Sequence, residues 1–69
     1  MMNKWFLLYS SQSFAQASII KGMLEENYVP VTLINKQDSS YLNFGEIELY
    51  VPTHLKELAT NLLNQTLTN

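Results

Sequence analysis

The stretch that decides the fold is VTLINKQDSSYLNFGEIELYVP, residues 31–52. Its two ends are apolar and β-branched, and its middle is polar, a pattern that predicts a strand, a loop and a second strand. Successive side chains of a strand face opposite sides of a sheet, and residues 46–51 alternate cleanly. We therefore predict that Ile47, Leu49 and Val51 are buried, and that Glu46, Glu48 and Tyr50 lie on the other face.

The loop between these strands, residues 36–45, exceeds the usual hairpin length of about 2–5 residues. Loops of this kind often carry function. The candidate ligand-binding residues are Asn35, Lys36, Gln37, Asp38, Ser39, Ser40 and Tyr41. The alternative is local turn chemistry, in which Asp and Ser side chains bond to their own backbone.

Two amphipathic helices flank this unit. Ser13 begins the first, where Ser13 and Gln16 form a capping box, and Thr53 is the predicted N-cap of the second. A second apolar stripe on the first helix, Ile19 and Met23, faces either the second helix or a partner chain. The main buried stripes are predicted to be Ala17, Ile20, Leu24 and Tyr28 on the first helix, and Leu55, Leu58, Ala59, Leu62 and Leu63 on the second.

A first strand, residues 4–10, precedes the first helix and is apolar on both faces. The order is therefore β-α-β-β-α, and right-handed crossover places the first strand parallel to a later one. We predict one α+β domain over residues 1–69, with a three-stranded mixed sheet in the order 1-3-2 and both helices on one face. This is a truncated ferredoxin-like arrangement. In the strand at residues 31–35, Val31 and Leu33 share one side and Ile34 takes the other, so its buried face stays open.

Composition narrows the class of protein. The chain has 69 residues, no cysteine and a formal net charge of −2. The absence of cysteine excludes a disulfide framework and suits the cytoplasm. An acidic chain lacks the charge that phosphate-backbone binders need, so we expect no nucleic-acid partner. Its apolar runs are too short to span a bilayer, so we expect no membrane partner.

The sequence offers no catalytic constellation. The single histidine, His54, has no evident orienting acid, and the serines fall in predicted caps and turns. His54, Asp38, Glu46 and Glu48 lack the compact spacing of a metal motif. We therefore expect a protein that is not an enzyme and that binds neither metal nor cofactor.

Several segments resemble a known family: YSSQSFAQASIIKGML at residues 9–24, Val29-Pro30, the loop at residues 35–41 and the strand at residues 45–52. The chain resembles a small bacterial family of prokaryotic signal-transducing proteins of unknown function. The resemblance implies a fold similar to half of the nitrogen-regulatory PII-like proteins and no established activity. Relatives often have glycine where this chain has Tyr28, and Asn27 could take the left-handed conformation instead.

The first strand suggests the kind of partner. If its even-numbered residues face the helices, an aromatic and apolar surface is left on the open side of the sheet, and the candidate interface residues are Trp5, Leu7, Tyr9 and Tyr50. A chain this small gains stability by association, so we expect a homodimer. The expected function is a binding or regulatory module with a small-molecule or protein partner. Two alternatives are an RNA-binding module that uses the aromatic face and a purely structural interaction domain.

Overall fold

The computed structural model describes residues 4–37 and 45–67. The chain forms three strands and two α-helices in the predicted order. They are β1 (Trp5–Ser11), α1 (Phe14–Glu26), β2 (Thr32–Asn35), β3 (Ile47–Pro52) and α2 (Lys56–Leu67), with a 3-10 turn (Thr53–Leu55) before α2.

The sheet has the predicted strand order, β1-β3-β2. The expectation of a mixed sheet is wrong, because β3 pairs antiparallel with both of its neighbours. β1 and β2 do run parallel, as the crossover rule requires. Since β3 lies between them, no parallel ladder forms and the sheet is antiparallel throughout.

The alternation predicted for the third strand is confirmed. Ile47, Leu49 and Val51 have no exposed surface, and they form one cluster with buried residues of both helices. Both helices therefore pack on the same face of the sheet. The helix residues of that cluster are Ala17, Ile20, Leu24, Ala59 and Leu63. Val31, directly before β2, and Leu33 on β2 pack against the cluster, whereas Ile34 faces away, which resolves the face that the sequence left open.

A β-bulge interrupts β1. Leu7 lies opposite Tyr50, but Tyr9 lies opposite Leu49, so Leu8 is an extra residue in the ladder. An inserted residue shifts the alternation of all residues that follow it. Tyr9 consequently packs against the core with Phe6 and Leu8. The prediction that Tyr9 shares a face with Trp5 and Leu7 is wrong for this reason.

The start of α1 agrees with the sequence in part. The hydroxyl of Ser13 accepts a hydrogen bond from the backbone N–H of Gln16 at 3.1 Å, as expected for the N-cap. The reciprocal bond of a capping box is replaced, since the N–H of Ser13 donates to the Ser11 hydroxyl at 3.0 Å. Ser11 thus joins the end of β1 to the start of the helix.

The end of α1 corrects two expectations. Tyr28, not Asn27, takes the left-handed conformation, with φ +66°, and it is 91% exposed rather than buried. The N–H of Val29 bonds to the carbonyl of Leu24 and that of Tyr28 to the carbonyl of Glu25. These bonds define a Schellman motif. The motif turns Tyr28 outward and brings Val29 into the core, where it has no exposed surface.

Two expectations about helix residues, those for Leu58 and Thr53, are also corrected, whereas contact of Ile19 with a partner chain stays a prediction. Ile19 and Leu58 are 63% and 46% exposed, because each lies outside the arc of its helix that meets the sheet. Met23 packs against the core. Thr53 belongs to the 3-10 turn rather than preceding it, and Pro52 occupies the cap position.

The long loop closes on a narrow neck. The N–H of Lys36 donates to the carbonyl of Glu46 at 2.9 Å. Gly45 has φ +97°, and a Cβ at this position would overlap the carbonyl oxygen of Lys36. The neck therefore requires glycine.

Candidate functional site

The face of the sheet opposite the helices, here called the open face, is the candidate site. Both helices pack on the other face. The register places Leu7, Tyr50 and Thr32 in one row across the strands, and Ser10, Glu48 and Ile34 in the next. Trp5, opposite Pro52, lies at one end of the face. An ion pair to Glu48 places Lys36 at the other.

The apolar part of the open face centres on β1. Trp5, Leu7 and Ile34 are 48%, 44% and 41% exposed. A shallow hollow of about 260 Å³ lies between Trp5, Ile34, Thr32 and Tyr50. Contiguous exposed apolar side chains of this kind mark interaction surfaces, whereas isolated ones do not.

The polar part is a hydrogen-bonded cluster of three side chains. The hydroxyl of Tyr50 donates to Oε1 of Glu48 at 2.7 Å, and Nζ of Lys36 lies 3.3 Å from the same oxygen. The hydrogen bond from Tyr50, followed by the bond and charge of Lys36, lowers the pKa of Glu48 although partial burial opposes it. The bond to Glu48, together with burial, raises the pKa of Tyr50. At neutral pH, Lys36 therefore compensates the charge of Glu48.

A second hollow, of about 560 Å³, lies where β1 begins and β3 ends. It shares Trp5 with the open face. Its other lining residues are Lys4, Pro52, Thr53 and His54. The backbone N–H of Thr53 donates to the carbonyl of Lys4 at 2.8 Å, which joins the two strands at this end. Trp5 thus lines both hollows.

The candidate ligand-binding residues of the long loop fall into two groups. Asp38, Ser39, Ser40 and Tyr41 lie outside the described residues. The others have intramolecular roles: the Asn35 side chain accepts from the N–H of Gln37 at 2.9 Å, and Gln37 Nε2 donates to the carbonyl of Gln12 at 2.7 Å. Asn35 therefore matches the alternative of local turn chemistry. The Gln37 side chain instead joins the loop to the segment after β1, and Lys36 belongs to the open face.

The structure brings together three of the four predicted interface residues, Trp5, Leu7 and Tyr50, and separates Tyr9 from them. It adds Thr32 and Ile34, which sequence reasoning missed, and Lys36, which the sequence predicted as a ligand-binding residue of the loop and not as part of this face. Their common parity was visible in the sequence. However, this parity did not show which face of the sheet they occupy, because the sequence does not show that Val31 and Leu33 face the core.

The comparisons with known proteins add no relative: no family model, curated protein or solved structure matches the chain. Among the residues that the structure describes, no three His, Cys, Asp or Glu side chains cluster as a metal ion would require. Within the same residues, neither α-helix has the length and apolar character needed to cross a membrane.

Proposed function

We propose that this protein is a small, non-enzymatic regulatory binding module that acts as a homodimer through the β1 side of its open face. One observation carries the proposal: both helices cover the same face of the sheet, and the described residues leave the other face bare, with Trp5, Leu7 and Ile34 exposed. Burial of such apolar surface is the main driving force for association.

A second copy is the partner that this surface fits best. The apolar patch lies on an edge strand, so a two-fold axis beside that strand brings two identical patches together. The patch carries little net charge because Lys36 compensates Glu48, and two copies therefore do not repel one another there. A chain of 69 residues also gains from association, since a core of this size gives only a few kcal/mol of stability.

The finer assignments belong to the same proposal. The β-α-β-β-α order supports a truncated ferredoxin-like fold, and the resemblance to prokaryotic signal-transducing and PII-like proteins supports a regulatory role. We place the protein in the cytoplasm, in keeping with a chain that has no cysteine. The loop at residues 36–45 is the proposed contact for a small molecule or a further protein.

Nucleic acid is the less favoured partner. Trp5 and Tyr50 could stack bases, as aromatic residues do on the sheets of RNA-binding modules. The cation at the opposite end of this face from Trp5 is paired, since Lys36 contacts Glu48. Few charges therefore remain on this face for a phosphate backbone, and we expect no salt-dependent binding of single-stranded oligonucleotides.

Sedimentation and NMR over a dilution series test the proposal. We expect a dimer mass at micromolar concentration, and on dilution the signals of the Trp5 indole, Leu7 and Tyr50 should shift. The exposed helix residues Ile19 and Leu58 serve as internal controls, and their signals should stay in place.

A matched pair of variants completes the test. Leu7→Lys should shift the protein to a monomer, because it places two cations close together beside the two-fold axis. Ile19→Lys, at a more exposed apolar position on α1, should leave the dimer intact. A parent chain that remains monomeric at millimolar concentration would refute the homodimer.

A further inference from the structure

We propose that two copies join β1 to β1 in an antiparallel ladder, with the two-fold axis beside Phe6, so that Trp5 hydrogen-bonds to the partner's Leu7. This inference rests on the proposed homodimer and deepens it, since it specifies which backbone groups meet. The two chains would then share one continuous sheet.

The direction of the backbone groups of β1 is the first observation. The carbonyl of Lys4 accepts from the N–H of Thr53, so Lys4 points towards β3. Backbone polar groups of successive strand residues point to alternate sides. The N–H and C=O groups of Trp5 and Leu7 therefore point away from the sheet. Pro52 gives independent support, because it lies opposite Trp5 and has no N–H for a ladder bond.

The bulge fixes the register of the pairing. The bulge ends the regular alternation at Leu8. Among the described residues before the bulge, the backbone groups that point away from β3 are therefore those of Trp5 and Leu7. An axis beside Phe6 pairs each of them with the other in the partner. An axis beside Trp5 or beside Leu7 would complete only one pair from these residues.

Side chains and charges are compatible with this register. Trp5 would lie beside the partner's Leu7 on the open face, an aromatic–aliphatic cross-strand pair of a favourable type. Lys4 would lie opposite the partner's Leu8. The two Lys4 residues would be four residues apart along the strands, roughly 13 Å, which exceeds the Debye length of about 8 Å at physiological salt.

The opposite edge of the sheet is protected, which favours β1. β2 has four residues, Thr32–Asn35, and it is preceded by Pro30. It ends where the Asn35 side chain accepts from the N–H of Gln37. Short strands and flanking prolines are features that natural proteins use against edge pairing. β1 has seven residues, and only Lys4 and the bulge limit its edge.

A backbone modification tests the ladder without altering any side chain. A synthetic chain with N-methyl-Leu7 loses an outward N–H but keeps the bonds of β1 to β3. The dissociation constant of the dimer should rise at least tenfold, because two symmetry-related bonds are lost. The matched control is N-methyl-Leu33. The N–H of Lys36 points to β3, so that of Leu33 points away, and its methylation should leave the dissociation constant within twofold.

A disulfide provides a second measurement, since the chain has no native cysteine. The Phe6 residues of the two copies would lie opposite each other as a non-hydrogen-bonded pair. Their Cα atoms would be about 4.5 Å apart, which is within the range of a disulfide. Phe6→Cys should give a covalent dimer on mild oxidation, whereas the exposed control Ser10→Cys should not, because its two copies would lie roughly 26 Å apart.

The outcomes separate this inference from the proposed function. A dimer that N-methyl-Leu7 does not weaken would overturn the ladder and retain the homodimer. Weakening by N-methyl-Leu33 instead would move the contact to β2 and overturn the inference as well. A monomeric parent chain would overturn both proposals.

Discussion

Replacement of Tyr28 by glycine should stabilise the fold by about 1 kcal/mol. Tyr28 holds φ +66°, and the left-handed conformation costs a non-glycine residue about 1–2 kcal/mol. Glycine removes this cost, although its greater freedom in the unfolded chain returns about 0.4–1 kcal/mol. The side chain contributes little to the balance, because it is 91% exposed.

Urea denaturation followed by Trp5 fluorescence measures this change, with far-UV circular dichroism as a second probe. The chain concentration must be the same for all variants, since the proposed dimerisation would add to apparent stability. In a thermal scan, a gain of 1 kcal/mol corresponds to an increase in Tm of about 4–8 °C for a domain of this size.

Two further variants isolate the backbone contribution. Tyr28→Ala keeps the strained φ and removes the ring, so its stability should stay close to that of the parent. Tyr28→Asn should fall between alanine and glycine, since asparagine tolerates the left-handed region. If glycine destabilised the protein while alanine was neutral, the left-handed assignment at residue 28 would be wrong.

The other predictions concern the second left-handed position and the charge cluster. Gly45→Ala should destabilise the protein by at least about 2 kcal/mol in urea denaturation, through its positive φ and the overlap with Lys36, whereas Gly22→Ala, which meets no atom within 4 Å, should stabilise it by about 1 kcal/mol. An equal response to the two changes would contradict this account. Because its pKa is lowered in the folded state, Glu48 stabilises the fold at pH values above its ordinary pKa of 4.5. This contribution is lost as the pH falls through the folded pKa. Glu48→Gln should thus reduce the loss of stability between about pH 5 and pH 3. If the variant and the parent lost the same stability over this range, the contribution assigned to Glu48 would be wrong. The raised pKa of Tyr50 acts in the opposite direction: its contribution is full below the ordinary value of 10.0 and is lost as the pH rises through the folded pKa.

The predictable parts of the fold were those with a strict period. The alternation of β3 gave its buried face, and the 3.6-residue spacing of Ala17, Ile20 and Leu24 gave the buried face of α1. In both cases a single rule determines which side of the element meets the core. The next member of that stripe, Tyr28, failed because the helix ends at Glu26, and the spacing has no meaning beyond that point.

The bulge was not predictable from β1 itself. Apolar residues occupy both parities of this strand, so no change of pattern marks the extra residue at Leu8. Its position depends on how β1 aligns with β3, which is a tertiary property. The prediction of a shared face was therefore right for Trp5 and Leu7 and wrong for Tyr9.

The size of the open face connects the edge ladder to a regulatory role. Three strands about 4.8 Å apart and about 20 Å long span roughly 290 Å² in plan. The open face of one copy is therefore a small surface for a further partner protein, because a standard interface buries about 800 Å² of accessible surface on each partner. An edge ladder would double this plan area to roughly 580 Å² and place two Trp5 side chains near its centre. On this reasoning, dimerisation creates the surface that a further partner would recognise, and a Leu7 variant that abolishes the dimer should also abolish binding of that partner.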